Sequence, residues 1–289
     1  MATPHILPAV PVAFGDDGSL DLDGSRAILR YTAASGNEGA FVLGTTGEFP
    51  ALNVEERNLL AKASVEELAA HMRVVVHVGA PSLREVLQLI EGARAAGATE
   101  IAVITPYYLP ATDGALRGFF RAVSDASDGL DAYLYVFRNR TGNFVSAELM
   151  AELALLPNIK GAKVSEEPLE VIAAYRAVVP DDFVLYTGAD RDLARTAEFG
   201  AQGVVSGVSS VFPKPFRELA AAAASGDEEA IAAAQFKVDD VVATVKGDMG
   251  RIKAAYAMMG IPGGTVRMAI EAPSEPVLAD LRRAVDLYA

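Results

Sequence analysis

The chain predicts a (β/α)8 barrel with a C-terminal helical extension. Three observations lead there. Short apolar runs alternate with amphipathic runs eight times over roughly the first 225 residues. The apolar runs are rich in Val and Ile and nearly unbroken, as strands covered on both faces must be. After the eighth repeat only helix-like runs remain.

In order, strands are expected over 5–14, 39–44, 73–79, 100–106, 131–137, 159–165, 182–188 and 203–209. Segments such as 54–71, 82–97 and 115–127 read as the amphipathic helices between them. Ala96-Gly97 and Phe199-Gly200 supply helix-ending glycines. A doubly wound sheet is the alternative, and it would usually carry a glycine-rich phosphate loop after its first strand. Phe14-Gly15-Asp16-Asp17-Gly18 is not G-x-G-x-x-G. Beyond the eighth unit, 227–245, 251–259 and 276–289 read as helices, with a loop at 260–264. A catalytic barrel over 1–225 and a helical extension over 226–289 are therefore expected, with no long linker between them.

Composition narrows the function. The net charge of −13 argues against nucleic acid, which needs a basic footprint, and against an anionic membrane surface. No apolar stretch approaches the length of a membrane span. Met1-Ala2-Thr3-Pro4-His5 lacks the features of a signal peptide, so a cytoplasmic protein is expected. With no cysteine there is no disulfide, thiolate metal site or thiol nucleophile. The three histidines, His5, His71 and His77, have no ligand spacing, and His77 reads as a strand residue facing a neighbour. No metal and no cofactor are expected.

Lys163 lies within the apolar run Ile159-Lys160-Gly161-Ala162-Lys163-Val164. Burying an ammonium is costly unless it is paired or neutralised. A neutral amine is a nucleophile that can form a Schiff base with a ketone. A lysine snorkelling from a strand end is the other reading. An isolated lysine would favour snorkelling, but Gly44-Thr45-Thr46-Gly47-Glu48 and Tyr135…Arg140-Thr141-Gly142 favour the first. Period two puts Tyr133, Tyr135 and Phe137 on one face and Ile159, Gly161, Lys163 and Ser165 on one face of the next strand. Tyr135 and Lys163 can therefore meet inside the barrel, and Gly161 is expected to leave room beside the lysine. Lys160 has the opposite parity. A tyrosine beside a buried lysine can shuttle protons. The loop Gly44-Thr45-Thr46-Gly47-Glu48 follows strand two, where its amides and hydroxyls can hold a carboxylate.

These residues, with Thr105-Pro106-Tyr107-Tyr108, Arg140-Thr141-Gly142 and Pro157-Asn158-Ile159, resemble the dihydrodipicolinate synthase/N-acetylneuraminate lyase family of Schiff-base aldolases. Gly188-Ala189-Asp190 and Gly203-Val204-Val205-Ser206 echo two further family patterns, and the resemblance covers nearly the whole chain. It implies that Lys163 forms an imine with pyruvate or another 2-oxo acid, and that Tyr135 moves protons. It implies that Thr45 and Tyr108 complete a relay, Tyr108 across a subunit contact. Thr45 and Thr46 would bind the 2-oxo carboxylate, Arg140 the carboxylate of an aldehyde partner, and Gly188 and Val205 would line the substrate site. A homotetramer built as a dimer of dimers, or a homodimer, is implied as well.

The match has departures. Val136 and Arg138 stand where the synthase branch has Asn and Pro, and Leu109 stands where it has Asn. Pro81 replaces an asparagine of the lysine-feedback site, and Val12-Ala13-Phe14 replaces the usual end of the first strand. Arg138 reads either as a second positive charge near the site or as a solvent-facing arginine. Two alternatives to a dihydrodipicolinate synthase-like enzyme follow: a 2-keto-3-deoxy sugar-acid aldolase, and a non-catalytic 2-oxo-acid-binding protein on the same fold.

Overall fold

The structure, a computed structural model, describes residues 3–289; Met1 and Ala2, part of the segment read for a leader, lie outside them. Eight parallel strands form one sheet: β1 His5–Pro8, β2 Gly39–Val42, β3 Arg73–His77, β4 Glu100–Ile104, β5 Asp131–Val136, β6 Ile159–Val164, β7 Val184–Thr187 and β8 Gly203–Ser206. Neighbours pair in chain order from β2 to β8, and β8 pairs with β1. The ring closes through the Ala9–Phe41 bridge and the Val10 N–H, which donates to Phe41 O at 3.0 Å. This is the expected (β/α)8 barrel.

All eight strands fall where the alternation put them, but they are shorter. The first ends at Pro8 rather than at residue 14. Pro11 has no N–H to extend a ladder, and Phe14 turns back to bridge Leu20 antiparallel. The eighth ends at Ser206, whose Oγ accepts from Ser209 N at 2.9 Å and starts a helical turn, Val208–Val211. Residues at these clipped ends form the mouth loops.

Helix ends are set by caps. Helix Val54–Leu68 opens on a capping box between Asn53 and Glu56. Helix Leu83–Ala95 is capped by Ser82, and Thr112 starts Asp113–Ala126 two residues earlier than the apolar pattern suggested. Gly200, at φ 77°, does end a segment, but that segment, Asp190–Phe199, is a 3-10 helix. Helix Pro213–Ser225 completes the eighth unit, and helices Glu228–Val245, Met249–Met258 and Glu275–Tyr288 form the extension. Among the described residues no helix is long and apolar enough to cross a membrane.

The barrel interior and its outer layer are separate apolar clusters. Leu7, Phe41, Val75, Tyr133, Tyr135, Tyr186 and Val205 belong to the inner one. Its floor is polar. Arg73 donates to Glu100 Oε1 at 2.9 Å, Tyr133 Oη at 2.9 Å and Tyr186 Oη at 3.1 Å. This plug leaves the C-terminal ends of the strands as the open side.

Candidate active site

Tyr135 and Lys163 are paired positions on β5 and β6, and Lys163 pairs onward with Tyr186 on β7. The amine enters the barrel, 4.2 Å from the Tyr135 ring centroid and 4.7 Å from that of Phe41. Lys163 is 7% exposed. A void of about 10 Å³ lies among Leu7, Phe41, Val75, Tyr133, Lys163, Tyr186 and Val205. It has room for about one water molecule. Lys160, of opposite parity, is exposed, and its Nζ donates to Pro157 O at 2.8 Å.

A second buried lysine, Lys253, was not visible as a candidate in the sequence. Its Nζ meets Glu48 Oε1 at 2.5 Å and Thr265 O at 2.6 Å. Burial pulls the Lys253 ammonium down, opposed by the Glu48 hydrogen bond. Among the described residues no salt bridge reaches Lys163. Of the two, Lys163 is therefore the amine free to react.

Thr45 Oγ1 stands 3.1 Å from Tyr135 Oη, which links the loop after β2 to the amine's aromatic neighbour. Thr45 and Thr46 are half-buried. Glu48 ties this loop to the C-terminal segment. It adopts φ 52°, and its Oε2 accepts from Arg267 N at 2.8 Å and Met268 N at 2.7 Å. The helical extension thus holds the loop through Lys253 and the segment that follows it.

Gly161 does not leave a gap beside the lysine. A Cβ there would lie 2.4 Å from Val184 O and 2.7 Å from the Tyr133 ring. The missing side chain lets β7 and Tyr133 close in, and the tight packing fixes β6.

Val205 is buried on the inner face of β8. Gly188 follows β7, where its N–H donates to Val164 O at 2.8 Å. Two residues on stands Asp190, the last residue of the Gly188-Ala189-Asp190 pattern. Burial pushes the Asp190 carboxyl up to about 6, while a Ser206 hydrogen bond and the Lys163 charge pull the other way. The site thus holds a carboxyl within the field of the free amine.

Arg140 and Arg138 lie on the helical turn Arg138–Thr141 after β5, and both are exposed. The Arg140 guanidinium lies 5.6 Å from the Phe137 ring and so stays at the mouth. Arg138 instead lies over Phe144 at 5.2 Å, matching the solvent-facing reading. Tyr108 is 91% exposed at φ 80° and has no hydrogen-bond partner among the described residues. Within one chain it does not join Thr45 and Tyr135.

Residues 2–286 match the sequence model of the dihydrodipicolinate synthetase family. A 4-hydroxy-tetrahydrodipicolinate synthase of Dechloromonas aromatica is 33% identical over 282 residues, covering 96% of each chain. An uncharacterised DapA-like lyase of Halobacterium salinarum is 34% identical over 91% of this chain and 86% of its own. Among solved structures, YagE from E. coli K12, a prophage protein of the dihydrodipicolinic acid synthase family in complex with pyruvate, superposes with a TM-score of 0.89. It is 28% identical, and 99% of this chain and 98% of that one are covered.

Proposed function

The chain belongs to the dihydrodipicolinate synthetase family, and from that premise we propose that it is a pyruvate-dependent lyase acting through a Schiff base on Lys163. It joins pyruvate, or another 2-oxo acid, to an aldehyde, or cleaves the product in reverse. The observation that carries this reading is one buried amine, free of any salt bridge, against Tyr135, whose hydroxyl meets Thr45 at 3.1 Å.

The Lys163 amine attacks the ketone carbon and water leaves, giving the imine. The imine nitrogen acts as the electron sink for an enamine. Tyr135 passes protons between the reacting atoms and Thr45, and Tyr108 of a neighbouring copy extends the relay to solvent. The Thr45 and Thr46 hydroxyls, with the backbone amides of their loop, hold the 2-oxo carboxylate. Gly188 and Val205 line the site, and Arg140 at the mouth meets a carboxylate on the aldehyde. The barrel, residues 1–225, carries the chemistry, and residues 226–289 support it through Lys253. The active form is a homodimer or a dimer of dimers in the cytoplasm.

One observation favours a second reading of the acceptor. Asp190, a half-buried carboxyl in the field of Lys163, offers an acceptor to hydroxyl groups. A 2-keto-3-deoxy sugar acid would present them. A non-catalytic 2-oxo-acid sensor would have no use for the Thr45–Tyr135 contact.

Borohydride added with pyruvate tests the reading. One pyruvate-derived mass should appear on the peptide containing Lys163. Labelling at Lys160 or Lys253, or none anywhere, overturns it. Pyruvate loss with aspartate semialdehyde or with glyceraldehyde then separates the two acceptors.

A further inference from the structure

His77, the last residue of β3, is fully buried inside the barrel. Its ring centroid lies 4.5 Å from that of Phe49, 5.8 Å from Tyr135 and 6.1 Å from Phe41. Nδ1 is 2.9 Å from Leu43 O. A carbonyl only accepts, so Nδ1 carries the proton and Nε2 is a bare lone pair. Nε2 is buried without a hydrogen-bond partner. Burial, reinforced by the Arg57 charge, holds the ring well below its ordinary pKa and hence neutral. An orphaned ring nitrogen among apolar groups is unfavourable. Among the described residues the ring's hydrogen bonding is therefore through Nδ1.

Its acceptor is a strained residue. Leu43 adopts φ 60°, a region L-residues with a Cβ rarely occupy unless their surroundings hold them there. Leu43 leads directly into Gly44 and Thr45. Arg57, also buried, steadies the other side. Its guanidinium donates to His77 O at 2.7 Å and Gly79 O at 2.8 Å. Arg57 Nη2 also lies 3.5 Å from Nδ1, but it cannot donate to a nitrogen that already carries a proton, so the carbonyl contact is the bond. The two side chains thus connect helix Val54–Leu68, the end of β3 and the turn that presents Thr45.

We propose that His77 is a positioning residue for Thr45: its Nδ1–H fixes the Leu43 carbonyl and so sets the Thr45 hydroxyl against Tyr135. This rests on the role given to Thr45 above. The test compares His77→Leu and His77→Asn in the wild-type and Thr45→Val backgrounds, following kcat, KM for pyruvate, borohydride trapping and Tm. His77→Leu should lower kcat by about 10- to 10²-fold, the scale for a displaced catalytic group, with a smaller change in KM. His77→Asn, which retains an N–H donor, should recover most of that loss. In the Thr45→Val background His77→Leu should cost no further kcat, while its effect on Tm persists. Equal loss of kcat in both backgrounds, or no loss in either, overturns the proposal. Should His77→Leu fail to fold, the ¹⁵N imidazole spectrum of the wild type decides: an Nδ1–H tautomer at His77 supports it and an Nε2–H tautomer overturns it. A wild type that traps no pyruvate sinks the Schiff-base reading and this inference with it. A wild type that traps pyruvate at Lys163 but shows additive kcat losses sinks this inference alone.

Discussion

Lys163 and Tyr135 occupy paired positions on adjacent parallel strands, and the lysine amine lies 4.2 Å from the centre of the tyrosine ring. The tyrosine hydroxyl then reaches Thr45 at 3.1 Å. Amine, phenol and threonine come from β6, β5 and the loop after β2. Only barrel closure brings that loop to the same mouth.

If Tyr135 transfers protons, Tyr135→Phe keeps the ring packing and loses only the hydroxyl. Turnover should fall by roughly 10²–10⁴-fold, the usual scale for a positioned proton-transfer group. Thr45→Val should cost less, and the double variant should be no slower than Tyr135→Phe. Fully multiplicative losses would show that the two hydroxyls act separately.

Arg140 should govern acceptor choice. Its side chain is exposed over Phe137 and away from the amine. Arg140→Ala should leave imine trapping intact and lower kcat/KM for a carboxylated aldehyde by about 10- to 10²-fold, a modest effect because an exposed arginine is solvent-screened. Glyceraldehyde should be affected far less. Equal loss with both aldehydes would make Arg140 structural.

The buried Glu48–Lys253 pair should matter for stability. Both side chains are almost wholly enclosed, at 0% and 2% exposure. Lys253→Met strips the buried carboxylate of its counter-charge, leaving it the Arg267 and Met268 N–H groups, and should cost roughly 3–5 kcal/mol in urea unfolding. Adding Glu48→Gln should recover part of that loss, because it removes the stranded charge. Single variants that unfold like the wild type would show the pair contributes little.

Asp190 carries a pH signature. Its folded pKa, about 6, is raised above the 3.8 of the free group. The folded state therefore binds more protons than the unfolded one between those values. The ionised carboxylate costs stability above pH 6, and the cost is relieved as pH falls toward 4. Because Asp190 is only half-buried, the whole window is worth less than the about 3 kcal/mol of a fully enclosed carboxyl. Relative to wild type, Asp190→Asn should gain more stability at pH 8 than at pH 4.5. A stability difference that does not change with pH would place the carboxyl's pKa near its ordinary value.

Much of the fold and the centre of the site could be read locally. Eight apolar runs predicted eight strands, because a strand covered on both faces needs apolar residues at both parities. Period two placed Tyr135 and Lys163 on the inward face and Lys160 outside, and all three are found so. Element ends were less legible, because caps such as Thr112 and Ser82 act through hydrogen bonds that the apolar pattern does not record.

By itself, then, the sequence determined the alternation of strand and helix, the inward parity of the reactive pair and the turn chemistry of the Gly44–Thr45–Thr46–Gly47 loop. These rest on neighbours in the chain and on a fixed backbone period. The tertiary structure alone decided which distant groups meet. Glu48 and Lys253 are 205 residues apart and pair only because the helical extension packs against the loop after β2. The Gly161 space is filled by Tyr133 and Val184 because of how β5 and β7 close on β6. His77 finds Leu43, and Tyr108 is left in solvent, for the same reason. Burial and partnership are properties of closure and register, which bring together residues with no shared local pattern.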